Sequence, residues 1–164
     1  MPQQHFNGAL EVHKVGYCLN DRYPAELRRS FFTENKVRLL TQVLYQNENT
    51  PIALIGREGV GKHTLIEEVI IRYEESNTKR KDFSAQLYVV DPTRVIAGMS
   101  YVGQWQRRFE SILNFLHTPF AEKPSVQHQL LVDNPIALVR IGKTGQNSMT
   151  LADVLKPYLE KRKL

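Results

Sequence analysis

A chain of 164 residues, 41% hydrophobic and 24% charged, is long enough to bury a core without disulfide or metal staples. Cys18 is its only cysteine, which excludes an intramolecular disulfide and a cysteine-based metal cluster; no run approaches the roughly 20 apolar residues of a membrane span, and the N-terminal MPQQHFNGALEVHK lacks the apolar block of a secretory signal. A cytoplasmic location without a membrane partner is expected, and the net charge of +5 is concentrated in two short basic runs, Lys79-Arg80-Lys81 and Lys161-Arg162-Lys163, of a kind that is ordinarily solvated, so nucleic acid is not the expected partner.

Residues 1 to 30 show little periodicity and are expected to form an extended or irregular lead-in. From Thr33, a plausible N-cap, Val37, Leu40 and Leu44 recur at helical spacing until QNENTP stops the pattern. Ile52 to Ile55 is uninterrupted apolar sequence, as expected of a first strand buried on both faces of a parallel sheet. A glycine-rich loop follows, and then a helix with Leu65, Ile66, Val69 and Ile70 on its inner face and Glu67, Glu68, Glu74 and Glu75 outward. Strand two is Gln86 to Val90. Asp91-Pro92-Thr93 starts a short turn or helix, and a long helix over about Gln104 to Leu116 is stopped by His117-Thr118-Pro119. Strand three, Gln129 to Val132, runs into Asp133. Beyond it lie the apolar PIALVRIG, a Gly/Ser/Asn loop, and a last helix capped near Thr150 that carries Leu151, Val154, Leu155 and Leu159. Strands alternating with helices predict an α/β three-layer sandwich with a mainly parallel sheet.

The chemistry concentrates in PIALIGREGVGKHT, residues 51 to 64. A strand, a glycine loop and a helix in that order are the context of a phosphate-cradling loop. Gly56, Gly59 and Gly61 let the backbone of Arg57, Glu58 and Val60 turn its N–H groups inward, and Lys62 is placed to reach the terminal phosphates of ATP or ADP. The pattern G-x-x-x-x-G-K-[ST] puts a magnesium-holding hydroxyl after the lysine; here His63 stands there, with Thr64 one place late. The second element is LLVDN, residues 130 to 134, where an apolar strand ending in Asp133 would set a carboxylate beside magnesium, usually through water.

The third element is VVDPTRVIAGMSYVGQWQRRFESIL. With Ala97, Gly98, Tyr101, Gly103, Trp105 and Arg108, it resembles the A-G-x-x-Y-x-G-x-[FW]-x-x-R stretch of the Clp-type AAA+ unfoldases and disaggregases, in their first ATPase domain. The resemblance extends back to the glycine loop and forward to LADVLKPYLEKRKL. It implies a P-loop NTPase fold of AAA+ type, with residues 1 to 22 as lead-in and 23 to 164 as a partial, incomplete large subdomain. It also implies protein clients or other AAA+ subunits as partners and a homo-oligomeric ring in a full-length context. Tyr101 would be the aromatic of the substrate pore loop, flanked by Gly98 and Gly103, while Trp105 is expected to pack on the following helix.

Two positions depart from what that family needs for hydrolysis. Magnesium prefers hard oxygen ligands to the imidazole of His63, and Thr64 is rotated from that position by about 100° around the helix. Asn134 occupies the place of the catalytic glutamate; an amide cannot take a proton, and loss of a general base costs on the order of 10²- to 10⁴-fold. No catalytic residue is therefore assigned, hydrolysis is expected to be weak or lost, and magnesium binding to be weakened. The family's fourth strand, with its sensor residue, lies between the first and third strands and would follow Leu164, as would the arginine finger and helical lid; without it strands one and three could meet directly, or PIALVRI could substitute. The alternative function is a non-catalytic protein-interaction module on the same degenerate fold.

Overall fold

The stretch expected to be an irregular lead-in contains a helix and a strand. A computed structural model describes residues 6–45, 50–77, 84–99, 102–117, 126–143, 145 and 148–164. Asn7 caps helix α1 (Gly8–Val15), its side-chain oxygen accepting from the N–H groups of Ala9 at 3.1 Å and Leu10 at 3.3 Å. The helix runs directly into strand β1 (Gly16–Cys18). Elements this short carry too few turns for a periodicity to stand out. Gly16 is required by close approach: a Cβ there would lie 1.9 Å from the carbonyl oxygen of Val89. Gly16→Ala is accordingly expected to cost about 1 to 3 kcal/mol in urea unfolding; a variant as stable as the parent would contradict this strand pairing.

Helix α2 (Glu34–Tyr45), helix α3 (Lys62–Asn77), strand β2 (Ser84–Val90), helix α4 (Pro92–Ile96), helix α5 (Val102–His117), strand β3 (Val126–Val132), helix α6 (Pro135–Arg140) and helix α7 (Leu151–Glu160) follow in order. Thr150 caps α7 in a reciprocal capping box with Asp153. The sheet has the order β1-β2-β3. β2 pairs parallel with β3 from Ser84 against Val126 to Val90 against Val132, and antiparallel with β1. The sheet is therefore small and mixed, with one of its two pairings parallel.

Alternation along β2 and β3 sorts the core onto two faces. Tyr88, Val90, Leu130 and Val132 pack with Val12 and Val15 of α1, Phe109, Ile112 and Leu113 of α5, and Leu151 and Leu155 of α7. Leu87, Val89 and Leu131 pack on the other face with Val37 and Leu40 of α2 and Ile66, Val69 and Ile70 of α3. Helices thus cover both faces. Trp105 is buried in the first of these clusters, as expected of it.

Three local readings are corrected. Ile52 to Ile55 joins no strand, and Ile55 is 93% exposed: extended backbone becomes a strand only where another strand offers it hydrogen bonds, and none does so here among the described residues. The segment therefore does not meet β3 directly. PIALVR is helix α6, because Pro135 sits at its first turn and Asn134 caps it, with the Asn134 side chain accepting from the Ala137 N–H at 3.3 Å.

The third concerns Glu68, read as outward but only 2% exposed. Residues 28 to 30 lie over α3, so Glu68 takes the Arg72 Nε at 2.7 Å, the Ser30 N–H at 3.1 Å and the Arg29 guanidinium at 3.4 Å. Burial raises the carboxyl's pKa, but those hydrogen bonds and the arginine charges outweigh it and hold the group below the ordinary glutamate value of 4.5. A depressed folded pKa gives stability that is present above the unfolded value and lost as pH falls through the folded one. Stability measured by urea unfolding should therefore hold steady down to about pH 4.5 and drop below it; in Glu68→Gln that acid-side fall should be shallower, and an identical profile would rule out this carboxylate as its source.

Candidate nucleotide-binding site

The glycine loop follows the non-strand segment 50–55 and winds into α3. Gly59 and Gly61 have φ of 73° and 90°, left-handed values costly for side chains bearing a Cβ. No neighbouring atom comes within 4 Å of a Cβ built on either, so conformation and not crowding requires glycine there. The N–H of Leu65 bonds to the Gly61 carbonyl at 2.9 Å, closing the first turn of α3. The free N–H groups of that turn and the helix dipole make its mouth attractive to anions. Lys62, the first residue of α3, donates from Nζ to the carbonyls of Gly56 and Arg57, each at 2.9 Å. Its ammonium thus lies across the loop where a phosphate would sit.

The fold brings Asp133, just past the end of β3, to this mouth. His63 Nε2 lies 2.5 Å from Asp133 Oδ1, with both side chains about half exposed. The two residues named for the metal position therefore bind each other. These donors do not fit magnesium: the hydroxyl is replaced by a ring nitrogen, and the carboxylate is already engaged. Asn134, read from sequence as a failed general base, has a positive duty as the cap of α6. That role was open to sequence reading, since Asn followed by Pro is a helix-start signal.

The pore-loop candidate Tyr101 lies outside the described residues, as does the basic run Lys79 to Lys81. Gly103 sits in the first turn of α5 and not in a loop, whereas Gly98, with φ of 74°, makes the turn after α4. Sequence reading missed what holds this turn. Arg108 donates from Nε to Glu11 at 2.7 Å and from a terminal nitrogen to the carbonyls of Arg94, Val95 and Ala97 at 3.2 to 3.3 Å. Glu11 and Arg108 are both buried, and their separation of 97 residues leaves no local signal to find.

Between residues 50–55 and the outer edge of β3 runs an apolar cleft of about 420 Å³. Leu40 and Leu44 of α2 and Leu155 and Leu159 of α7 contribute to its walls, and Lys62, His63 and Asp133 lie along its polar margin. β3 is the last strand of the sheet, so the strand side of the cleft pairs with no further strand among the described residues.

A glycine loop at a helix N-terminus, set beside an aspartate at the end of a parallel strand in a helix-covered sheet, defines an α/β domain compatible with AAA+ proteins. The chain is 31% identical over 126 residues to the chaperone protein ClpB of Chlamydia pneumoniae, covering 77% of this chain and 14% of that protein. It is 29% identical over 163 residues to ClpB of Porphyromonas gingivalis, covering 99% and 18%, and 28% identical over 131 residues to heat shock protein 104 of Schizosaccharomyces pombe, covering 80% and 14%. Among solved structures it is similar to the Hsp104–ADP complex of S. cerevisiae, with a TM-score of 0.68 at 24% identity, covering 93% of this chain and 20% of that one. No family model matches. The chain belongs to the Clp-type AAA+ family of ClpB and Hsp104, and spans 14 to 18% of the length of these curated relatives. Among the described residues no helix is long and apolar enough to cross a membrane.

Proposed function

We propose that the chain is a nucleotide-binding AAA+ module that holds ATP or ADP with little or no hydrolysis of its own. The observation carrying this reading is the division of labour at one loop mouth. Lys62 and the positive-φ glycines keep the phosphate-binding parts, while His63 is tied to Asp133 and Asn134 is committed to a helix cap. Phosphate binding needs the former; water activation needs the latter. In a full-length context the kinship with ClpB and Hsp104 supports a ring of AAA+ subunits acting on protein clients, with Tyr101 as the aromatic that touches them. Calorimetric titration with ATP and with ADP tests the reading directly, and a folded protein that takes up neither would sink it. Restoring turnover by His63→Thr with Asn134→Glu should be only partial, because Asn134→Glu also removes a cap worth about 1 kcal/mol.

A second reading, the non-catalytic interaction module, is favoured by the apolar cleft. The outer strand β3 lining an apolar cleft of about 420 Å³ suits an extended apolar segment of a protein partner, added as a strand. Such a partner would be retained equally with or without nucleotide and by Lys62→Ala. Retention that depends on either would favour the first reading.

A further inference from the structure

The loop mouth supports a more specific statement, resting on the nucleotide-binding reading of the same site. We propose that this site binds nucleotide without a divalent cation, because His63 hydrogen-bonds Asp133 and covers it in the place where an ion would sit. Two adjacent ligands of an octahedral magnesium, each at about 2.1 Å, stand about 3 Å apart. His63 Nε2 and Asp133 Oδ1 are instead within direct hydrogen-bond contact, so the pair as it stands is bonded to itself and not spaced around an ion. An ionised carboxylate can only accept a hydrogen bond, so Nε2 carries the proton that faces it.

The consequence concerns the incoming phosphates. Asp133 is 53% exposed at the mouth of the loop, and alone it would meet a polyphosphate with like charge. In a site that uses magnesium the ion bridges that repulsion; here the imidazole covers the carboxylate. The other acidic group nearby does not compete for His63. Glu67, one turn further along α3, receives the Arg28 Nε at 3.0 Å, a second guanidinium nitrogen at 2.9 Å and the Arg28 backbone N–H at 2.9 Å. Lys62 then supplies the cation that meets the phosphates, on leaving its two loop carbonyls.

The test is calorimetric titration of the whole chain with ADP at fixed ionic strength, in excess magnesium and in excess chelator. Equal dissociation constants, within about twofold, are expected. Binding about tenfold or more tighter in magnesium overturns the inference and leaves the nucleotide-binding reading standing, whereas no binding in either medium overturns both. His63→Ala, measured in chelator, should weaken ADP binding by about tenfold because Asp133 is uncovered, and Asp133→Asn on that background should restore it. Circular dichroism of each variant establishes that it is folded. A folded His63→Ala that binds ADP as well as the parent in chelator would refute the covering role, and so would a double variant that stays as weak as the single one.

Discussion

Lys62→Ala should weaken ATP and ADP binding by about 10- to 100-fold while leaving the fold's stability unchanged. The lysine's two hydrogen-bond partners are carbonyls of its own loop at 2.9 Å, in an exposed stretch, so water replaces the lost ammonium at no burial cost. Against a phosphate the same group makes a charge-assisted bond at the mouth of a helix dipole, where no backbone N–H can substitute for a full positive charge. Nucleotide titration checks the first half of the expectation and thermal unfolding the second. Unchanged affinity would mean that the loop is a turn into α3 with no phosphate role. Lower stability with lost binding would mean that the lysine holds the loop together.

Arg108→Ala is expected to lower the unfolding free energy by about 3 to 5 kcal/mol, a large fraction of the 5 to 15 kcal/mol typical of a domain. The substitution strands Glu11 in the core, with Lys14 Nζ at 2.7 Å as its remaining cation. It also removes the donor from three carbonyls at the end of α4 and the turn after it. Replacing both charged partners, with Glu11→Leu and Arg108→Met, should recover part of the loss, because no buried charge is then left unpaired. Recovery stays incomplete because the carbonyls of Val95 and Ala97 lose this donor, whereas that of Arg94 keeps the Ala97 N–H. Urea denaturation of the two variants measures this, and a loss below about 1 kcal/mol for the single change would show the pair to be dispensable.

α1, α4 and α5 are brought together at this ion pair, and Gly98 turns the chain just beyond the carbonyls that Arg108 holds. Ala97, Gly98 and Arg108 belong to one sequence motif. The structure gives the arginine its place in it: it holds the end of α4 and the turn at Gly98.

Much of the architecture was legible in the residues alone. Val37, Leu40, Ile66, Val69 and Ile70 marked the inner faces of α2 and α3, Thr150 marked the start of α7, and the order of loop, second strand and third strand was read correctly. Those features are local: a helical face, a cap or a glycine turn is written within a few residues. The errors share the opposite property. Ile52 to Ile55 has the composition of a buried strand, yet strand formation needs hydrogen bonds from another segment. Glu68 is charged and helical, yet Arg29 and Ser30 approach it from more than thirty residues away.

The sequence by itself determined that this chain carries a glycine loop with Lys62 at a helix entrance, and that His63 and Asn134 stand where a hydroxyl and a glutamate would serve hydrolysis. Residue identity and spacing suffice for that, because the loop's chemistry is built from neighbours along the chain. Only the tertiary structure decided what the first of these does. His63 meets Asp133 across 70 residues of sequence, whereas the Asn134 cap of α6 is local. The His63 contact follows from the parallel registration of β2 with β3 and from packing on both faces of the sheet, which no local pattern encodes.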